Sequence, residues 1–544
     1  MIFLVLGLSF FALFPLFQSG FFSMHDFQQV TRLFELDKTL MGGSFPVRWT
    51  EGLGFGFGYP LFNFYPPFVY YLGEVFHLIG FGFIDSIKIV WGVALVGSAL
   101  AMYFLAKEFF GKIGGVVAAV FYLYVPYHAV DAYVRGALAE LFSFVWLPLI
   151  LLFASRKKVI TTGIFLGLLM ITHNLIFLPF AGFYVLWVIL INRQPLLYTF
   201  YFLLSTFAIA FALTAFFWLP SLAEKQFTLV DQFLTTGLAN YQIHFVCPDQ
   251  LWNSFWGYGG SIAGCLDGVS FKLGKPQLIL ALVTLGIGIW KKSRVPLVIF
   301  GLFGLAIFMT AEYSKFIWEK INLLWYLQFP WRFLEFAALF SALLAGGLFL
   351  IIRNFWLQLG LGVILIFGVI FLHGKYFAPQ NYDYQATDTA LTSDEEIRWK
   401  VSQTSFEYMA KGTAVKPTPQ GSYTLDIVNY PTQKYLVTTG DFNADKIQFG
   451  ADKFLLSGNS QTGAAIQFQI ANFPGWKVWV DGQETVIDDN NKVKLITIAV
   501  PAGSHIVCGV FTNTPVRSLG NLISLSAIIG VGGYYLYARR RNKT

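Results

Sequence analysis

Charge is what this chain has least of: only 12% of its 544 residues are Asp, Glu, Lys or Arg, while 56% are hydrophobic. Soluble domains carry about 25% charged residues, so an ordinary soluble enzyme is excluded. A disordered chain is excluded too, because disorder needs low hydrophobicity and high charge. Cysteine is nearly missing, and three residues cannot make a disulfide framework. Cys247 and Cys265 share the loop 220–276, where a bridge and two free thiols are both compatible with the sequence; Cys508 has no evident partner. No basic soluble face with interleaved aromatics exists, so the net charge of +7 does not mark a nucleic-acid partner. The centres of the apolar runs hold almost no ionisable residue, and no inverted repeat is visible. Both absences disfavour an ion-coupled transporter.

What the chain does have is apolar runs. Twelve are long enough, with their flanking aromatics, to cross a bilayer: 3–21, 86–106, 113–127, 138–155, 159–172, 175–192, 197–219, 277–290, 295–310, 332–352, 356–372 and 518–537. The first lacks a basic n-region and a small-residue cleavage site before Met24-His25-Asp26, and is read as an anchor. Alternate connections carry Lys107, Lys112, Arg156, Lys157, Lys158, Arg193, Lys291, Lys292, Arg294, Arg353, Arg539, Arg540, Arg541 and Lys543, against the single acid Glu108. The opposite connections, outside a charged insert at 373–517, hold 11 basic and 15 acidic residues. By the positive-inside rule both termini face the cytoplasm, and the working surface faces outward. The expectation is a polytopic α-helical cell-membrane protein of about twelve spans: 1–372, then the insert 373–517, then a last helix and basic tail in 518–544.

The insert holds 26 charged residues in 145 positions, against 41 in the other 399. Alternating runs such as Ala465–Ile470 and Lys494–Val500, separated by Pro474-Gly475, Asp481-Gly482 and Pro501-Ala-Gly503, predict a small β-sandwich. Trp476–Asp481 is a strand entering an Asp-Gly hairpin turn.

The first outer loop, 22–85, begins with Asp26. Residues 26–41 place Phe27, Val30, Phe34 and Leu33, Leu36, Leu40 at helical spacing, which predicts an amphipathic helix lying in the membrane interface. Glycines alternate at 52, 54, 56 and 58 and no Lys-Ser/Thr follows, so neither a dinucleotide fingerprint nor a P-loop is present. The loop is either an aromatic interfacial segment or a lid over a lipid-borne substrate. Beyond it, His128, Asp131, Arg135 and Glu140 crowd the mouth of an apolar bundle. Ionisable groups there are costly to desolvate and are usually functional. Thr172-His173-Asn174 lies at the next outer turn, and Phe329-Pro330-Trp331-Arg332 opens a later span with Glu335 one turn on.

An acid at the start of the first outer loop, an amphipathic helix and a Pro-Pro-aromatic segment resemble the GT-C class of membrane glycosyltransferases. The pattern is more closely similar to a bacterial family labelled 6-pyruvoyl-tetrahydropterin synthase-related membrane proteins. It is carried by His25-Asp26, Pro46-x-Arg48-Trp49, Gly56-x-Gly58-Tyr-Pro60, Asn63–Pro67, Arg135–Glu140, Thr172–Asn174 and Phe329–Arg332. The hairpin Phe473–Gly482 also resembles that of large bacterial membrane proteins that glycosylate lipoteichoic acid. No pterin chemistry follows from the label: a soluble pterin synthase needs a zinc-binding histidine cluster, and the seven histidines here are scattered.

The resemblance implies a GT-C-like fold and transfer of a sugar from a polyprenyl-phosphate carrier to an envelope glycan, lipid or protein on the outer face of the bilayer. It implies Asp26, beside His25, as the base that deprotonates the acceptor; the competing reading makes Asp26 a helix cap in Ser23–Asp26. Arg332, then Arg135 and Arg48, are candidates for the carrier phosphate. Their structural alternatives are snorkelling and, for Arg332, an intrahelical pair with Glu335. His173 is either a cap or a substrate contact, and Glu140 either orients Arg135 or simply pairs with it. Asp26, Asp131 and His128 are candidates for a divalent ion, Mg or Mn, with a polar turn paired to Arg135 as the alternative. A catalytically silent scaffold and a lipid-linked-sugar flippase are the other functional readings; the second needs a polar path through the bundle.

Overall fold

In the computed structural model, residues 1–234, 237–418, 423–426 and 432–541 are described. Lys543 of the basic tail lies outside them. The chain is a polytopic helical membrane protein with a separate β-rich region. Seven helices among the described residues are long and apolar enough to cross a membrane: Phe83–Leu123, Leu138–Ser155, Asn174–Asn192, Leu196–Leu213, Pro330–Leu350, Phe355–Tyr376 and Pro515–Arg540. An eighth results if Arg294–Thr310 and Glu312–Lys320, bent by 90°, form one broken span.

The expected twelve are thus not reproduced as twelve helices of spanning length, and the reasons are local. Run 3–21 breaks into Ile2–Leu8, Phe10–Leu13 and a 3-10 turn at Phe14–Phe17 that contains Pro15, a residue that cannot donate within a helix. Val159–Thr172 and Lys275–Trp290 are apolar but short. Phe83–Leu123 joins two expected runs. At about 1.5 Å per residue its 41 residues would reach twice the thickness of a hydrocarbon core. It does not run straight: Gly111 stands at φ 74°, ψ −178°, and a Cβ on Gly115 would lie 3.1 Å from the Tyr103 carbonyl. The chain therefore reverses at Gly111, between Lys107 and Lys112.

The β-rich region is a two-sheet sandwich. Its strands are β1 (Tyr435–Gly440), β2 (Asn443–Phe449), β3 (Lys453–Ser460), β4 (Ala464–Ala471), β5 (Trp476–Val480), β6 (Gln483–Thr485), β7 (Leu495–Val500) and β8 (Gly503–Phe511). One sheet has the order β6-β5-β8-β3-β2 and the other β7-β4-β1, with every pairing antiparallel. Leu456, Ile466, Phe468, Val478, Ile496 and Val507 are buried between them. The β5–β6 turn is the expected Asp481-Gly482 pair, both at positive φ, the conformation a two-residue hairpin of this twist needs.

Residues 382–410, before the sandwich, are not β-sandwich. They form short helical turns that pack on the first loop, so protein covers part of its polar surface. The helix Gln29–Met41 buries Arg32, Glu35 and Thr39 as well as Val30, Leu33 and Leu36. Its polar face is met by protein: Thr31 donates to the Leu391 carbonyl, Arg32 to Ser405, and Glu35 accepts from the Gly52 N–H. A second tie comes from Glu224, which accepts from Asn63 (2.8 Å), Thr514 (2.6 Å) and Arg517 (2.9 Å) and so joins first loop, bundle and last helix. The bridge between Cys247 and Cys265 is formed, with a Cα–Cα distance of 5.7 Å, and Cys508 is free.

Candidate active site

The site is built where the start of the first loop meets the turn before the helix Leu138–Ser155. Residues Val130–Arg135 form a wide π turn that ends on Gly136 at φ 67°, with Met24 packed where a Cβ would stand. Across this contact the His25 N–H donates to the Val134 carbonyl (3.1 Å), the Asp26 N–H to the Arg135 carbonyl (2.7 Å) and Gln29 Nε2 to the Gly136 carbonyl (2.9 Å). Asp26 is thereby fixed beside Arg135 through its backbone. The helix begins only at Gln29, with no side-chain cap, so the capping role expected for Asp26 is not what its carboxylate does. That carboxylate has no hydrogen bond or ion pair among the described residues and lines a cavity of about 840 Å³.

Six expected site residues line this cavity: His25, Asp26, Arg135, Glu140, His173 and Arg332. Glu140, fully buried, organises three of them, Arg135, Arg332 and His173. Its carboxylate receives Arg135 at 2.8 and 2.9 Å, Arg332 Nε at 3.3 Å and the Tyr127 hydroxyl at 3.1 Å. The Arg135 guanidinium lies 4.5 Å from the Trp331 ring centroid. Arg332 also donates to the Leu327 carbonyl at 2.7 Å. It does not pair with Glu335, whose carboxylate turns to Ser143 instead. His173 Nδ1 accepts from the Ile176 N–H at 3.1 Å, so Nε2 carries the ring proton and faces Glu140 at 3.8 Å. Burial first of all, against the pull of Glu140, lowers the His173 pKa to about 3. The ring is therefore a neutral donor.

Three expected residues stand elsewhere. Asp131 is fully buried beneath the floor and bonded to Arg135; burial, then the nearby Glu140 charge, raises its pKa. His128 stacks on Phe144 with centroids 4.1 Å apart, and burial lowers its pKa to about 3. Arg48 donates to Asn63, to the Phe216 carbonyl and to Asn521, each at 2.9 Å; it ties elements together outside the cavity. Asp26, Asp131 and His128 therefore do not converge, and no group of three or more His, Cys, Asp or Glu among the described residues is arranged to hold a metal ion. The donor set does not fit a divalent ion.

The sequence reading missed Arg32, Tyr65, Glu407 and Tyr408, which also line the cavity. Arg32 lies 4.2 Å from the Tyr65 ring centroid and donates to Ser405 at 3.1 Å. A lone Arg on an otherwise uncharged helical turn was the available signal for Arg32; nothing in the local pattern marks Glu407. Leu175, Phe177, Leu178, Phe211, Trp218 and Leu222 complete the wall. Phe211 and Leu222 are 39% and 64% exposed. The cavity thus has a polar, arginine-bearing end and an apolar side that includes exposed residues.

No protein-family model matches the chain, and no curated protein matches it. Among solved structures it is similar to the Archaeoglobus fulgidus oligosaccharyltransferase crystallised in complex with zinc and sulfate, at 15% identity and a TM-score of 0.40. That match covers 79% of this chain and 59% of the other.

Proposed function

We propose that this protein is a membrane glycosyltransferase that moves a sugar from a polyprenyl-phosphate carrier to a cell-envelope acceptor. One observation carries the proposal: a single cavity gathers the Asp26 carboxylate, unpaired among the described residues, and the Arg135–Glu140–Arg332 cluster, and its apolar wall includes the exposed residues Phe211 and Leu222. An amphiphilic phosphate donor needs both surfaces at once. In this reading the carrier chain lies along the apolar wall and its phosphate meets Arg332 and Arg135, whose guanidinium groups bind phosphate oxygens in a fork.

Asp26 takes the proton of the acceptor hydroxyl. The acceptor oxygen bonds to the anomeric carbon as the bond from that carbon to the phosphate oxygen breaks, and the electron pair leaves with the carrier phosphate. Both arginines stabilise the charge that develops there, and the His173 Nε2–H is an additional neutral donor. Glu140 keeps the two cations close together. Positive-inside charge supports an orientation with both termini cytoplasmic and the sandwich extracytoplasmic.

The test is reconstitution of the purified protein with radiolabelled polyprenyl-phosphate sugars and candidate acceptors, comparing wild type, Asp26→Asn and chelator-treated samples. Transfer by wild type and its loss in Asp26→Asn are expected. Equal transfer by Asp26→Asn removes Asp26 as the base, and no transfer from any donor favours a silent scaffold.

A further inference from the structure

A cluster of cations and aromatic rings, none of which lines the cavity, stands where the disulfide-closed loop 247–265 and its continuation meet the ends of two apolar helices. Lys272 precedes the helix Lys275–Trp290, and Lys375 follows the helix Phe355–His373. These lysines are 103 positions apart, yet both ammonium groups stand over the ring of Tyr376, at 5.5 and 5.4 Å from its centroid. Trp256 stacks on that ring at 4.2 Å. Close by in sequence, Lys275 lies over Trp252 at 5.2 Å. None of the three lysines has an ion pair with a carboxylate among the described residues. Burial lowers the pKa of Lys272, the direction expected for a cation partly removed from water with no anion beside it.

The ring answers this positive charge only in part, since a cation over an aromatic face gains roughly 0.5–1 kcal/mol at an exposed site. An anion is the missing component. The surroundings say which anion. Ile279 and Leu282 on one helix, and Phe371 and Leu372 at the end of the other, are exposed side chains directly below the lysines in sequence. Phe255 is 76% exposed beside Trp256. Lysines and aromatic rings at the end of lipid-facing helices mark the headgroup level of a bilayer.

We infer that Lys272 and Lys375, over the Tyr376–Trp256 stack, bind the phosphate of an anionic phospholipid headgroup at the membrane boundary on the sandwich side, with Lys275 adding a third positive charge. The inference does not depend on the proposed glycosyltransferase reaction.

The experiment uses the full-length protein in nanodiscs of phosphatidylcholine doped with phosphatidylglycerol, followed by delipidation and native mass spectrometry. Wild type is expected to retain phosphatidylglycerol in preference to phosphatidylcholine. Each lysine removed lowers that preference about five-fold, so Lys272→Gln/Lys375→Gln loses most of it and Lys272→Arg/Lys375→Arg keeps it. Indifference of wild type to headgroup charge, or an unchanged preference in the double Gln variant, overturns the proposal. Saturable binding of inorganic phosphate with no retention of phosphatidylglycerol overturns it as well, since the site would then be one for a free anion. A salt titration of wild type gives a measurement that needs no variant: the preference must fall as salt rises, and a flat response counts against the site.

Discussion

The backbone N–H of Asp26 donates to the carbonyl of Arg135 at 2.7 Å, although the two residues are 109 positions apart. One backbone bond thus sets the candidate base next to a candidate phosphate ligand without using either side chain. Arg135 spends its guanidinium on Asp131 and Glu140; the Asp26 carboxylate has no partner among the described residues.

From this follows a separation of stability and activity. Asp26→Asn keeps the backbone bond and removes only the charge, so its melting temperature is expected to match wild type. Sugar transfer is expected to fall by about 10²–10⁴-fold, the range for loss of a general base. A thermal melt run beside the transfer assay checks both. A large fall in melting temperature would mean that the carboxylate has a structural partner.

Arg332→Lys keeps the charge but loses the planar fork, so donor binding is expected to weaken while the fold persists. In steady-state kinetics this appears chiefly as a raised KM for the lipid donor. The same substitution at Arg48, outside the cavity, is expected to change thermal stability and leave the donor KM alone.

Glu140→Gln leaves Arg135 and Arg332 buried without their shared anion. Removing one partner of a buried pair costs about 3–5 kcal/mol, so this variant is expected to melt well below wild type and to lose transfer. Glu140→Asp, which keeps the charge, is expected to recover part of the stability. A Gln variant as stable as wild type would show that Asp131 alone holds Arg135.

Glu74, in the helix Phe68–Leu78, gives a pH prediction. Burial, and then the Asp37 carboxyl beside it, raises its pKa to about 7. A carboxyl whose folded pKa lies above its unfolded one binds more protons when folded, so it costs stability as pH rises through that interval. Wild-type stability is expected to decline from about pH 4.5 to about pH 7, and Glu74→Gln to flatten the decline. Parallel pH–melting curves for the two proteins would assign the decline to another group.

Much of this fold was legible in the sequence because hydropathy, charge and turn chemistry are local. The basic rim, the apolar helices, the sandwich and the Asp481-Gly482 hairpin can each be read from a short window. The count of spanning helices was less secure, since Pro15 and Gly111 set the ends of helices in ways that an apolar average does not register. The surroundings of the first helix are not local either. Its amphipathic spacing gives the helix and its apolar face, but its polar face is covered by residues 391–405, which no local pattern brings there.

The sequence by itself determined that the chain is a membrane protein with a charged β-rich insert and a few ionisable groups at one end of the bundle. Only the tertiary structure decided which of those groups act together. It separated Asp131, His128 and Arg48 from the cavity, added Arg32 and Glu407, and joined Cys247 to Cys265. The reason is physical. Burying a charge costs several kcal/mol unless it finds a partner, and the partners here, Glu140 for two arginines and Ser405 for a third, come from segments up to 373 positions away.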